Sequence, residues 1–420
     1  MEKIMKRFMK NDYINSMINR FIFIFINLLT SMIISRYLGK YYLGKYSYNT
    51  NLINIIILFL GLGISELYPY YKKNKVKNIK EKYMDIFMLQ FIVVFSFILF
   101  IKIFVIKSLE LLVAMLIPIM LLNNQLKSLT LVENLKARNK MMLISNMFHT
   151  VLLICCLLIR ENQYILVMLL LYIREIICII FLIKKFNLKF SIKYIDIDLI
   201  INTIKKGIFP MLCALGVTFN YKVDLIILKW FTSYDLISLY SIGVSLANMA
   251  WIIPDAFKEV LMAKNVKDDS DKNIIFSIKI NIYILIVILI CMILFGKLIL
   301  FVLYGREFID SYLVTIIIFV GILPMIFFKI INTFYIVNGR QKYSFKIIWI
   351  SVFINIIMNL VLIPKFDIYG AAISSVVSYS MCGFIFLYNY SKERDIHMKD
   401  FFVISVEEKN NLIKTLKRRL

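Results

Sequence analysis

Histidine is nearly missing from this sequence: 420 residues contain two, His149 and His397. That scarcity argues against a metal centre built on imidazole. Cysteine is sparse as well. Cys155, Cys156, Cys178, Cys213, Cys291 and Cys382 all fall in apolar runs without metal-ligand spacing, which reads as free, buried thiols. Acidic residues number 26 against 50 Lys and Arg, a formal net charge of +24. There is no G-x-S-x-G, no Walker sequence, no exposed pair of carboxylates and no His cluster, so no enzyme constellation is visible. No small-residue cleavage site follows the first apolar run, which is therefore expected to remain as a helix.

What fills the chain instead is hydrophobic residue, 61% of the total, with a mean hydropathy of +0.80. A polytopic helical membrane protein needs such a composition, because each crossing takes about 20 apolar residues. The apolar runs predict twelve spans. The first six are 13–34, 47–67, 84–105, 111–131, 141–159 and 165–183. The second six are 208–228, 239–260, 275–295, 313–337, 347–363 and 371–390.

Lys and Arg sit mostly in the gaps between runs, which reads as topology and lipid headgroup contact rather than nucleic-acid binding. The N-terminus, the even-numbered gaps and the C-terminus hold about 33 of them, the odd-numbered gaps about 9. Both termini are therefore expected on the cytoplasmic side. The gaps expected outside are short, leaving no room there for a catalytic domain. The basic gap from Lys184 to Lys206 is the expected linker between halves. The tail from Ser391 ends in KTLKRRL and reads as a cytoplasmic surface helix.

The two halves repeat. The stretch from Phe25 aligns without gaps to the stretch from Phe219, pairing Leu43 with Ile237, Tyr46 with Tyr240 and Ser47 with Ser241. ARNK at Ala137–Lys140 and GRQK at Gly339–Lys342 each precede their half's fifth span. Two matches in the same order favour a duplicated six-helix unit. Six is even, so the repeat is parallel, with a cavity between two lobes. The expected organisation is an N-terminal lobe over 1–190, a C-terminal lobe over 191–390 and a basic tail over 391–420.

Ionisable residues inside spans are costly, so each asks for a partner, a wet cavity or a task. Arg20, Arg174, Lys222 and Lys329 are the cations away from span ends. Glu175 and Asp224 are the anions there, and Glu66 lies near the inner end of the second span. Arg174 and Glu175 are adjacent and about 100° apart on a helix, so they are expected to pair with different neighbours. A cationic surplus in an apolar-walled cavity attracts an anion, phosphate above all. Asp224 or Glu66 could carry a coupling proton or cation. Each has a plainer reading: Arg20 could snorkel to headgroups, and Arg174 with Glu175 could be a static network. Asp255, Lys258 and Glu259 crowd the end of the eighth span, and Lys258 and Glu259 read as interfacial. Asn220, Asn248, Asn332, Asn355 and Asn359 could line a sugar passage or simply bond helix to helix. Pro254 and Pro324 can bend their helices.

Several stretches are similar to a known family. SRYLGKYYLGKYSYNTNL, YKVDLIILKWFTSYDLISLYSIGVSLANM, LYGREF (Leu303–Phe308) and, most specifically, NLVLIPKFDIYGAAISSVVSY (Asn359–Tyr379) resemble Wzx-like oligosaccharide flippases of the multidrug/oligosaccharidyl-lipid/polysaccharide superfamily. The resemblance covers nearly the whole chain. It implies twelve helices in two lobes around a central cavity. It implies translocation of undecaprenyl-diphosphate-linked oligosaccharide across the bacterial cytoplasmic membrane, for O-antigen or capsule. Lys222 and Asp224 match the family's basic-x-Asp pattern, and cavity cations would meet the diphosphate. Ser238 departs from the family's usual Gly. No cofactor is expected beyond coupling to H⁺ or Na⁺. The implied partners are the lipid-linked oligosaccharide, membrane lipids, and polysaccharide polymerase and chain-length proteins, with no nucleic acid. The competing expectations are a multidrug or small-molecule antiporter of the same superfamily, and a membrane polymerase.

Overall fold

A chain this apolar must satisfy its backbone within itself, and the α-helix does so segment by segment. The computed structural model describes residues 2–105, 110–159, 161–191, 194–265 and 271–403, and the side chains of these except 2–21, 105, 259–260 and 262–265. Ten described helices are long and apolar enough to cross a membrane. Two of them are interrupted by a single non-helical residue, Gly39 (φ 65°, ψ −179°) in Glu2–Leu60 and Asp367 (φ 47°, ψ −129°) in Gln341–Arg394.

Contacts show that the chain reverses at both points. Before Gly39, Tyr37 donates its hydroxyl to the Ile159 carbonyl and Thr30 meets Thr150. After it, Lys45 pairs with Glu110, Asn49 bonds Tyr164, and Ser128 donates to the Ser65 carbonyl. The first arm thus climbs beside one helix and the second descends beside others. Around Asp367 the register is plain: Gly370 lies against the Leu362 carbonyl, Ser351 bonds Ser378, and Arg340 pairs with Glu393.

Among the described residues, twelve crossings result. They are α1 (2–38), α2 (40–60), α3 (Ile79–Phe100), α4 (Leu111–Glu133), α5 (Leu135–Cys156), α6 (Gln163–Phe186), α7 (Ile197–Phe231), α8 (Tyr234–Asn248), α9 (Asp271–Tyr304), α10 (Ser311–Val337), α11 (341–366) and α12 (368–394). Helix α8 continues through a 3₁₀ turn, Met249–Trp251, into Ile252–Asn265. That turn lies just before Pro254, whose missing N–H and ring disfavour regular helix there. The protein is an all-α polytopic membrane protein.

Two compact units divide at Leu215/Gly216, inside α7. In the first, Tyr68, Tyr71, Tyr83 and Phe87 form a buried cluster on which Ile200 and Ile204 of α7 pack. A Cβ on Gly63 would stand 2.0 Å from the Gly207 carbonyl, so only glycine lets the two backbones meet. Asp196 caps α7 by accepting from the Leu199 N–H at 2.9 Å, and Lys82 lies 2.7 Å away. Lys82, with that N–H, holds the Asp196 carboxyl below the usual range. In the second unit, a Cβ on Gly383 would lie 1.9 Å from the Pro324 carbonyl, which marks the close crossing of α12 and α10.

Four expectations need correction. Helix α2 ends at Leu60, and Glu66 sits exposed in a separate 3₁₀ turn, Ser65–Leu67, rather than within the second span. The Gly61–Gly63 stretch, with Leu62 and Gly63 both at positive φ, ends the helix. The expected linker 184–206 is helical from Ile197, because Asp196 supplies an N-cap. Cys155 and Cys291 are exposed rather than buried. Finally, Arg174 bonds Glu175 itself, since its long stem lets the guanidinium fold back onto its neighbour.

Candidate functional site

Helix α7 carries the densest polar chemistry of the second unit. Asn220 and Asp224, four residues apart, share one face. Both are buried. The Asp224 carboxylate accepts from the Tyr240 hydroxyl of α8, from Ser375 of α12 at 3.1 Å, and from the Leu225 N–H at 2.8 Å. The Asn220 side-chain oxygen accepts from Ser378 of α12 and from Ser351 of α11 at 3.2 Å. Between them, the ring of Tyr221 packs edge-on against Trp251 and Tyr379, with centroids 5.9 and 5.4 Å away.

Lys222 lies two residues from each of Asn220 and Asp224, on a different face of the helix. It is half-buried. No described residue gives it a hydrogen bond or an ion pair. Lys329 of α10 is committed: it pairs with Asp255 at 2.7 Å and lies 4.1 Å over the Trp251 ring. The bond supplies the partner that its own helix lacks.

In the first unit the charges form a tight cluster. Arg174 engages Glu175 through Nε at 3.0 Å and through a second nitrogen. Asn123 donates to the other carboxylate oxygen, and Lys127 stands 3.8 Å from it. These groups, with Asn27, Ser145 and Asn146, line a cavity of about 130 Å³. The side chain of Arg20 lies outside the described residues, as does that of Glu259. Of the four expected cavity cations, the structure therefore ties Arg174 and Lys329 to acids and leaves Lys222 unpaired among the described residues. Glu66 lies in its exposed turn, Ser65–Leu67.

The asparagines divide. Asn220 and Asn332 bond across helices, Asn332 by accepting from Ser344 of α11 at 2.5 Å, whereas Asn359 donates to the Asn355 carbonyl of its own helix at 2.9 Å. Sequence reasoning passed over Tyr240, Ser351, Ser375 and Ser378. The small polar spacing Ser374, Ser375, Ser378 along one apolar helix was the available signal, since interhelical bonds in membranes favour such residues.

Asp224, fenced by hydroxyls and an amide, can accept a proton or a hard cation. Lys222 can meet an anion.

The fold defines a class, the all-α polytopic membrane bundles. The chain is similar over 90% of its length, and 94% of the other chain, to a multidrug resistance MATE family transporter of the MOP superfamily in the inward-facing conformation, at a TM-score of 0.65 and 12% identity. It is similar to the outward-facing conformation of such a transporter at a TM-score of 0.56 and 12% identity, covering 93% of this chain and 95% of that one. A MOP superfamily transporter from Pyrococcus furiosus, described as having a binding pocket of reversed polarity and a different function, matches at a TM-score of 0.55 and 11% identity, over 93% and 95% of the two chains. No family model matches the sequence, and no curated protein does.

Proposed function

We propose that this protein is a flippase that carries undecaprenyl-diphosphate-linked oligosaccharide across the bacterial cytoplasmic membrane by alternating access, for O-antigen or capsule synthesis. The observation that carries the reading is Lys222. It is a half-buried cation on a membrane helix with no partner among the described residues, and such a charge calls for an anionic ligand. Arg174 and Lys329 already hold carboxylates, so their share of the diphosphate contact is smaller. Both termini are read as cytoplasmic, and the partners are those of a surface-polysaccharide pathway. The shared fold with MOP superfamily transporters supports transport as the activity.

The test is substitution of Lys222 in the producing cell. Lys222→Ala abolishes surface polysaccharide while membrane abundance stays unchanged, and Lys329→Ala has a smaller effect. Normal polysaccharide with Lys222→Ala removes that residue from the site. The second reading, a multidrug antiporter, draws on the likeness to multidrug resistance MATE family structures. It predicts that the protein lowers cellular accumulation of cationic dyes and that polysaccharide is indifferent to its loss.

A further inference from the structure

Another cavity has no part of Lys222 in its lining. It opens in the first unit, at the end of the bundle where Gly39 turns the chain, among the starts of α2, α4 and α6. Its volume is about 1120 Å³. That exceeds the usual small-molecule pocket of about 300–1,000 Å³.

Its lining changes character along its depth. At the mouth Lys45 and Glu110 lie 2.5 Å apart. The Lys45 ammonium stands 4.7 Å over the Tyr164 ring, and Tyr42 stacks on that ring at 5.9 Å. Farther along α4 and α6 the wall is Met115, Leu169 and Ile173, with Tyr172 fixed by donating its hydroxyl to the Leu112 carbonyl. The same face of α6 carries an exposed aliphatic stripe, Ile165, Leu169 and Ile173 along the pocket and Ile176 and Ile180 beyond it. Fifteen residues of helix extend that track over about 22 Å.

We infer that this cavity binds one bilayer phospholipid with a zwitterionic headgroup bearing a phosphate and a primary ammonium. The stripe matches an acyl chain in length and chemistry. Among the described lining residues the mouth carries one charge of each sign, Lys45 and Glu110. A phosphate can take the Lys45 ammonium while the lipid ammonium takes Glu110, whose side chain is 42% exposed. Tyr42 and Tyr164 offer that ammonium ring faces as well. An anionic headgroup would instead set its charge against Glu110. The lipid-linked diphosphate of the flippase reading would do so more strongly, so this site is distinct from that substrate's and does not rest on that reading.

The experiment is native mass spectrometry of the whole protein, released from bilayers with equal phosphatidylethanolamine and phosphatidylglycerol. The wild-type chain should keep one phosphatidylethanolamine at about tenfold the occupancy of phosphatidylglycerol. Leu169→Trp, which puts a larger, rigid side chain on the apolar wall, should cut that adduct several-fold. The double variant Lys45→Gln with Glu110→Gln should keep a lipid but lose the headgroup preference. A melting curve on each variant confirms folding, and the double variant tests the headgroup even where Leu169→Trp is unstable. Equal retention of phosphatidylethanolamine by wild type and a folded Leu169→Trp protein overturns the inference. So does a preference for phosphatidylglycerol, or displacement by undecaprenyl diphosphate.

Discussion

Asp224 differs from the other intramembrane acids in what holds it. Glu175 and Asp255 each face a cation at ion-pair distance. The bonds found for Asp224 come from Tyr240, Ser375 and a backbone N–H, all neutral donors. Such a carboxylate can take up a proton or cation without first breaking a salt bridge. Asp224→Asn keeps shape and most hydrogen bonding but cannot ionise. In proteoliposomes with imposed H⁺ or Na⁺ gradients, that variant should lose the gradient dependence of flipping. A response to the gradient like the wild type's would exclude Asp224 as the coupling site. Lys222 and Asp224 stood out in the sequence because charge inside an apolar run is conspicuous. Their surroundings did not, because Ser375 is 151 residues distant and becomes a partner only when α12 packs on α7. Arg174 shows the same limit from the other side: helix geometry separated it from Glu175, and side-chain reach closed the gap.

At the scale of elements, hydropathy located the crossings well because lipid leaves the backbone few alternatives. It located their ends less well. Helix α7 begins before its apolar run, at a polar cap, and α2 stops before its run does, at Gly61–Gly63. Helix α8 has a 3₁₀ turn before Pro254 that an apolar count cannot register. The reversal at Asp367 falls within PKFDIYG, where Asp occupies a positive φ that favours glycine. Two substitutions should therefore move stability in opposite directions. Asp367→Gly relieves backbone strain and should raise the melting temperature, by the equivalent of about 1 kcal/mol. Gly383→Ala drives a methyl into the Pro324 carbonyl and should lower it by at least about 1–3 kcal/mol. Thermal unfolding in detergent checks both. An unchanged melting temperature for Gly383→Ala would mean that the α10–α12 crossing is looser than its geometry.

For the whole molecule, the signal with the longest reach was charge. A chain with 24 more bases than acids in formal charge must place that excess somewhere, and it falls in alternate gaps. Helix directions add an independent constraint. The antiparallel pairs α1–α2 and α11–α12 turn at Gly39 and Asp367, and the lightly charged gaps contain both turns. Twelve crossings return the chain to the side on which it began. The stretch Tyr70–Lys82 and the chain after Tyr390 should therefore share one side, and the Gly305 turn before α10 should lie on the other. By the positive-inside rule, the side richer in Lys and Arg is predicted to be the cytoplasmic one. Single cysteines placed in each stretch of a cysteine-free protein report this, because exposed Cys155 and Cys291 would otherwise react. An impermeant maleimide on intact cells should label a cysteine at Arg306 and spare cysteines at Lys77 and Lys399. Labelling at Lys399 without permeabilisation would invert the orientation. Labelling at Lys77 but not at Lys399 would instead break the count of twelve, since an even number of crossings cannot separate the two.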